Sequence, residues 1–183
     1  MAKAVVIVDM LNDFVQENGA LPVPGAKSLV ENIGKIRGKA NAYNVLVVYA
    51  NDAHSPNDPE FKTWPRHAVK GESGAKVIDE LLPAACDLVI EKQEMSMFTN
   101  KDADKLLRSK GIDELYVVGV ATEYCVRAAA LGAASLGYKV NVVVDAISGV
   151  DIKKGDSTYA LLEMGKAGVL PKYTSQVLEE MVR

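Results

Sequence analysis

Long apolar runs, an excess of basic charge and paired cysteines are all missing from this sequence of 183 residues. Its longest apolar stretches are about strand length, far short of the ~20 residues that cross a bilayer, so no membrane association is expected. Lysine and arginine number 21 against 24 acidic residues, and no basic cluster stands out. Nucleic acid is therefore not an expected partner. Two cysteines do not make a disulfide framework.

A secretory signal is not expected either, because the first residues, MAKAVVIVDM, enter a strand-like run without a small-residue cleavage site. Apolar residues make up 49% of the chain and charged residues 25%, which excludes a disordered or fibrous protein. The chain contains no internal repeat or linker. We therefore expect residues 1–183 to form a single cytoplasmic domain, with the character of an enzyme.

Apolar runs rich in β-branched residues alternate with amphipathic segments along the chain. The runs predict strands at 3–8, 45–50, 87–91, 114–119, 139–144 and about 169–171. The segments between and after them predict helices at 26–42, 74–82, 99–110, 123–136, 157–166 and from 175. This alternation is typical of a three-layer α/β/α domain with a mostly parallel sheet of about six strands, a Rossmann-like arrangement.

Reactive side chains follow four of the predicted strands. Asp9 ends the first strand, Asp52 and Lys92 lie just past the second and third, and Cys125 lies in the turn after the fourth. Because the carboxyl ends of parallel strands share one edge of a sheet, we expect these side chains to converge on one site. Asp145 also follows an apolar run but is interpreted as a structural cap.

Cys125 lies in the segment GVATEYCV, where Thr122 is a suitable N-cap residue. The sulfur would then lie in the first turn of a helix, whose N-terminus is expected to lower the thiol pKa and favour a nucleophile. A small core residue is the alternative interpretation, and it is the one we give to Cys86. Asp9 and Lys92 are the candidates to take the thiol proton, although singly a loop cap and a solvated lysine would be simpler interpretations.

Both histidines of the chain fall in the loop that begins with Asp52. His54 and His67 with this carboxylate make a ligand set that suits a divalent ion with open coordination positions. Glu60 is a candidate fourth ligand. Zinc is the expected ion, and iron or manganese would also suit the set; two surface histidines are the alternative.

Six segments together resemble the isochorismatase-like cysteine hydrolases, and within them the nicotinamidase/pyrazinamidase group. They are DMLNDF at 9–14, GALPVPGA at 19–26, NDAH at 51–54, WPRHAVKGESGA at 64–75, EKQEMSMF at 91–98 and GVATEYCV at 119–126. The resemblance covers nearly the whole chain. It implies a catalytic triad at Asp9, Lys92 and Cys125. It also implies metal ligands at Asp52, His54 and His67.

The resemblance further implies a non-proline cis peptide between Val120 and Ala121. The backbone N–H groups of Ala121 and Cys125 would form the oxyanion hole. The substrate pocket for a flat ring would be lined by Phe14, Leu21, Trp64 and Tyr124. Ala68 stands where many nicotinamidases have cysteine, a departure to which we give little weight because that residue is not a ligand.

The expected function is hydrolysis of nicotinamide and pyrazinamide to the acid and ammonia through a Cys125 thioester, with a metal ion positioning the ring nitrogen. The complete metal set favours this substrate. The alternatives are an N-carbamoylsarcosine amidase or another carbamoyl or ureido amidohydrolase, an isochorismatase, and a catalytically silent metal-binding oligomer. A homo-oligomer, either a dimer or a tetramer, is expected, and the small-residue stretch 128–137 would pack on the sheet or on a second subunit.

Overall fold

The structure of the chain is a computed structural model that describes residues 2–182. Six strands form one sheet, and all neighbouring strands run parallel. The strands are β1 (Ala2–Val8), β2 (Leu46–Asp52), β3 (Leu88–Lys92), β4 (Ile112–Val120), β5 (Lys139–Ser148) and β6 (Leu170–Lys172). Their order, β3-β2-β1-β4-β5-β6, reverses direction between β1 and β4. A crevice at such a reversal is where doubly wound sheets bind ligands.

Helices fill the connections between the strands. The α-helices are α1 (Asn12–Val15), α2 (Val30–Ala42), α3 (Lys101–Ser109), α4 (Arg127–Ser135), α5 (Asp156–Lys166) and α6 (Thr174–Glu180). Short 3-10 turns lie at Ala26–Leu29, Pro59–Lys62, Ser73–Ala75, Asp79–Leu81 and Met97–Thr99, and a π-helical turn spans Thr122–Val126.

The core has two halves, one on each face of the sheet. Successive side chains of a strand point to opposite faces. Val5 of β1 accordingly packs in one cluster with Ile36 of α2, and α6 lies on this face. Val6 packs in the other cluster with Leu107 of α3 and Met164 of α5. Helices therefore cover both faces, and the predicted three-layer α/β/α fold with a six-stranded parallel sheet is confirmed.

The helix predicted at 74–82 is wrong. The segment instead makes two separate 3-10 turns joined by extended backbone. Its backbone forms hydrogen bonds with the segment that directly follows β1. Val77 forms an antiparallel bridge with Leu11, and the Ile78 N–H donates to the Met10 carbonyl at 3.1 Å. These hydrogen bonds between distant parts of the chain replace those of a continuous helix.

Hydrogen bonds also define two local roles. The helix predicted from residue 99 begins at Lys101, and Asn100 caps it, because the Asn100 side chain accepts from the Asp102 N–H. Asp145 lies within β5, which continues to Ser148, and its carboxylate accepts from the backbone N–H and the hydroxyl of Thr174 at 2.8 and 2.9 Å. Asp145 therefore fastens the start of α6, as its interpretation as a structural cap predicted.

None of the helices within residues 2–182 combines the length and apolar character needed to cross a bilayer.

Candidate active site

The ends of β1 and β3 and the turn after β4 bring three reactive side chains into contact: Asp9 and Lys92 are buried, and Cys125 is partly buried. Lys92 donates from Nζ to Asp9 Oδ2 at 2.8 Å and contacts the Cys125 sulfur at 3.4 Å. Its third contact is an ion pair with the carboxylate of Asp52. The three N–H donors of one ammonium group therefore meet two carboxylates and a thiol.

Backbone geometry holds this cluster at the meeting point of β1 and β4. The carboxylate of Asp9 accepts the Asp52 N–H at 2.7 Å, which fixes it against the end of β2. Gly119 of β4 has a φ of +111°, and a Cβ there would lie 2.1 Å from the Val8 carbonyl oxygen. Only glycine allows β4 to approach β1 so closely. The cis peptide implied by the resemblance is present between Val120 and Ala121.

The pKa of Asp9 is raised to about 6 by burial and by the nearby Asp52, although Lys92 opposes the shift. Burial would lower the pKa of Lys92, but the groups around it raise the pKa well above the usual range and keep the ammonium charged. Asp9 is therefore a carboxylate at neutral pH whose affinity for a proton is higher than usual.

The expectation of a lowered thiol pKa is wrong. Burial raises the pKa of the Cys125 thiol, and the Lys92 ammonium only partly offsets this effect. Thr122 lies inside the π-helical turn rather than at its cap, and the cap position, Ala121, makes no side-chain capping hydrogen bond. The resting pair is thus a thiol beside a carboxylate, which needs a proton transfer before the sulfur can attack.

A second buried cluster adjoins the first through Asp52. One ligand atom each from Asp52, His54 and His67 lies within 4.8 Å of the others. His54 Nε2 is 3.6 Å from Asp52 Oδ2, beyond hydrogen-bond distance, and has no hydrogen-bond partner. A buried ring nitrogen without a partner is costly unless something else binds its lone pair.

The other ring nitrogens point to acceptors. His54 Nδ1 lies 3.0 Å from Asp58 Oδ2, and His67 Nδ1 lies 2.6 Å from the Pro65 carbonyl oxygen. Because both partners accept, each Nδ1 donates, and in the neutral ring each Nε2 then offers its lone pair to a metal. Asp58 was missed by the sequence analysis, although an aspartate directly before a proline is a known start signal for a helical turn.

Glu60 lies beside both histidines. Its two carboxylate oxygens lie 4.0 Å from His54 Nε2 and 4.0 Å from His67 Nε2. Burial alone would lower the pKa of His54, but Asp52, Asp58 and Glu60 raise it to about 9. Surroundings that favour a cation this strongly, together with the unpartnered Nε2, fit a divalent metal ion.

An apolar pocket opens over both clusters. All four predicted pocket residues line it, and the rings of Trp64 and Tyr124 meet edge to face at 5.5 Å. The sequence analysis missed further lining residues, namely Pro22, Val23, Met95, Val120 and Val150. Asp9, Asp52, Glu60, His67, Ala121 and Cys125 also line the pocket. Within residues 2–182, no lysine or arginine lines this pocket.

Comparison with known proteins places this site in a family. Residues 3–171 match the isochorismatase domain. The chain belongs to the isochorismatase family. Nicotinamidase of Escherichia coli is 32% identical, with 91% of this chain and 92% of that protein covered.

Two solved structures have nearly the same fold. The zinc complex of a pyrazinamidase from Pyrococcus horikoshii has a TM-score of 0.88 and 34% identity, covering 94% of this chain and 99% of that one. An N-carbamoylsarcosine amidase from Thermoplasma acidophilum has a TM-score of 0.84 and 36% identity, covering 95% and 97%. The predictions of a family member and of an amidohydrolase enzyme are confirmed.

Proposed function

We propose that this amidohydrolase converts nicotinamide, and pyrazinamide with it, to the acid and ammonia. The observation that carries the proposal is the combination of an apolar, aromatic pocket with a thiol and a carboxylate at its floor. A flat, uncharged ring fits such walls, and its carboxamide would face Cys125. The nicotinamidase and pyrazinamidase relatives support the same substrate class.

The charge of the pocket favours this substrate over the alternatives. N-carbamoylsarcosine, ureidoacrylate and isochorismate each carry a carboxylate, and a buried carboxylate needs a positive partner. The described lining offers no lysine or arginine as that partner, and its charged side chains are Asp9, Asp52 and Glu60. Hydrolysis of N-carbamoylsarcosine is the second candidate activity. The N-carbamoylsarcosine amidase that resembles this chain is as similar to it in sequence as the pyrazinamidase is.

The proposed mechanism begins with transfer of the Cys125 thiol proton to Asp9, while Lys92 balances the charge of the pair. The sulfur attacks the carboxamide carbon, and the backbone N–H groups of Ala121 and Cys125 would stabilise the oxyanion. Asp9 returns the proton to nitrogen as the C–N bond breaks and ammonia leaves. Water, losing a proton to Asp9, then adds to the thioester; the C–S bond breaks and the proton returns to sulfur.

Asp52, His54 and His67 are proposed to hold a divalent ion, with Glu60 as a candidate fourth ligand. When bound, the ion would supply an open coordination position for the ring nitrogen, and zinc is the ion we expect. The chain's own task is orientation: Trp64 and Tyr124 confine the ring, so that the carboxamide is held against the thiol.

The decisive experiment is a coupled ammonia assay with nicotinamide, pyrazinamide and N-carbamoylsarcosine side by side. Nicotinamide is expected to give the highest kcat/KM. Ammonia release from N-carbamoylsarcosine alone would transfer the assignment to the carbamoyl amidases. Release from none of the three would favour a silent metal-binding protein.

Metal removal tests the second half of the proposal. Protein stripped with a chelator is expected to show a raised KM for nicotinamide, because the ring nitrogen loses its anchor. Alkylation of Cys125 by iodoacetamide should continue, because none of its contacts runs through the histidines. Readdition of zinc should restore the KM. Equal nicotinamide binding with and without metal would contradict the proposed role of the ion.

A further inference from the structure

Asp13 in α1 accepts hydrogen bonds from two loops that are far apart in the sequence. Its Oδ1 accepts the Ala20 N–H at 3.1 Å, and its Oδ2 accepts the Ala68 N–H at 2.8 Å. Its backbone carbonyl accepts the Leu21 N–H at 3.1 Å. This carboxylate belongs neither to the proposed catalytic triad nor to the candidate metal ligands.

Each of the two loops carries a group of the site. Ala68 directly follows His67, is fully buried and has a φ of +43°, a conformation that a non-glycine residue adopts only when its surroundings hold it. Its carbonyl accepts the His54 N–H at 2.9 Å. The other loop presents Leu21 to the pocket. The Asp13 carboxylate thus binds the backbone N–H of Ala68, next to the candidate metal ligand His67. It also binds the backbone N–H of Ala20, next to Leu21 in the pocket wall.

The carboxylate is also enclosed from a third side. A Cβ at Gly74 would lie 2.0 Å from Asp13 Oδ2, so only a glycine leaves room for the carboxylate. The segment that carries Gly74 is held beside α1 by Asn12, whose side-chain amide donates to the Ser73 carbonyl at 2.9 Å. The carboxylate therefore lies in a defined position between three segments of the chain.

We infer that Asp13 is a positioning residue that holds His67 in the metal site and Leu21 in the pocket wall through the two loops. The inference rests on the proposed function, since it assumes that His67 binds a metal and that Leu21 contacts the substrate. The Asp13 carboxylate makes no hydrogen bond to either residue; it acts through the N–H groups of Ala68 and Ala20.

The first test is Asp13→Asn, which keeps the shape but turns one acceptor oxygen into an amino group that faces an N–H donor. Zinc affinity, measured by competition with a chromophoric chelator, is expected to fall about 10- to 100-fold, as for other partners that orient metal ligands. The KM for nicotinamide should rise more than kcat falls. Cys125 alkylation should match that of wild type. Glu17→Gln removes a charge from the neighbouring exposed surface and should change none of these quantities.

Gly74→Ala gives a second test that leaves Asp13 in place. The added methyl group displaces the carboxylate and should weaken zinc binding in the same way, whereas Gly38→Ala, whose Cβ meets nothing within 4 Å, should not. Faster amide hydrogen exchange at Ala20 and Ala68 in either variant would support the inference directly.

Two results would overturn it in different ways. In the first, wild type binds zinc tightly, and both Asp13→Asn and Gly74→Ala leave the zinc affinity and the KM unchanged. That result rejects the positioning role alone. A wild-type chain that binds no zinc rejects the proposed metal site, and with it the role of Asp13.

Discussion

At the scale of single residues, one buried ammonium group determines the charge state of its neighbours. Lys92 lies between Asp9, Asp52 and Cys125, so both clusters of the site share one positive charge. Asp52 takes part in both, because it contacts Lys92 and stands beside His54. The candidate metal ligands and the thiol are therefore neighbours, linked through one carboxylate and one ammonium group.

Replacement of the proposed nucleophile is the sharpest prediction at this scale. Cys125→Ala is expected to lower kcat by ~10³-fold or more, because no other described thiol lies near Asp9. Cys86→Ala is the matched control and should keep wild-type activity, since Cys86 is exposed and its sulfur donates to the carboxylate of Asp87. Ammonia release from nicotinamide measures both variants. Substantial turnover by Cys125→Ala would remove the thioester from the mechanism.

Residues at strand ends could be predicted, whereas residues that act through loop backbone could not. Asp9, Asp52 and Lys92 follow apolar runs, so their convergence follows from the parallel sheet alone. Asp13 becomes informative only after a loop folds back on it, because its partner Ala68 is 55 positions away. The prediction of the thiol pKa was wrong for a related reason. Burial of Cys125 depends on the whole fold, and it raises the pKa more than the start of a helix could lower it.

At the scale of secondary structure elements, the approach of β4 to β1 depends on one glycine. Gly119→Ala is expected to destabilise the fold by about 3 kcal/mol or more, since the new Cβ would collide with the backbone of Val8 and φ is +111°. Gly38→Ala, in α2 with open space around it, is the matched control and should stabilise by about 0.5–1 kcal/mol. Urea unfolding measures both. A Gly119→Ala variant as stable as wild type would show that β1 and β4 can separate at little cost.

A buried polar group joins β4 and β5 at the opposite end of the sheet from the site. Glu114 accepts from Lys139 Nζ at 2.8 Å and from the Asn141 side-chain amide at 3.0 Å. Burial alone would raise the pKa of Glu114, but these two donors lower it below its ordinary value. A depressed carboxyl pKa stabilises the fold above the unfolded pKa of about 4.3 and loses that effect as the pH falls through the folded value.

Glu114→Gln is therefore expected to cost about 1–3 kcal/mol at pH 7 and less at a low pH below the folded pKa, where the wild-type carboxylate is itself protonated. Glu31→Gln is the control, because Glu31 forms an exposed ion pair with Lys35 and its replacement should leave stability close to that of wild type. Urea unfolding at the two pH values measures the difference. An equal loss at both would assign the effect to packing rather than to charge.

Strands were predicted more accurately than the short turns between them. The apolar runs of β1, β2 and β4 are buried on both faces, so their hydrophobic pattern alone identifies them. The segment 73–81 contains helix-forming residues, but Val77 and Ile78 make their hydrogen bonds with the chain around Met10 and Leu11. No pattern within the segment itself reports this pairing.

At the scale of the whole molecule, the expected homo-oligomer stays a prediction. Within the small-residue stretch 128–137, which was predicted to pack on the sheet or on a second subunit, Gly132 packs against this chain, since a Cβ there would lie 2.9 Å from Ser96 Oγ and 3.2 Å from Phe98. The large exposed apolar side chains of α5, Tyr159 and Leu162, lie three positions apart and so share one side of that helix, and Ile152 precedes them.

Light scattering is expected to give a mass that is a multiple of 19.7 kDa. Tyr159→Lys should shift this mass toward that of one chain if α5 forms the contact, and Tyr43→Lys, at an exposed aromatic residue next to the end of α2, is the matched control. A wild-type mass of 19.7 kDa would contradict the prediction.

The walls of the pocket and its floor come from different parts of the chain. Leu21, Trp64, Met95 and Val150 stand on four separate connections, and none of these is the turn that holds Cys125. Amino-acid changes in one connection can therefore accumulate during evolution without moving the reacting groups. A single basic residue gained in a wall would admit carboxylate-bearing amides. Paralogues with new substrates can arise from this scaffold in few mutational steps, while the chemistry is inherited unchanged.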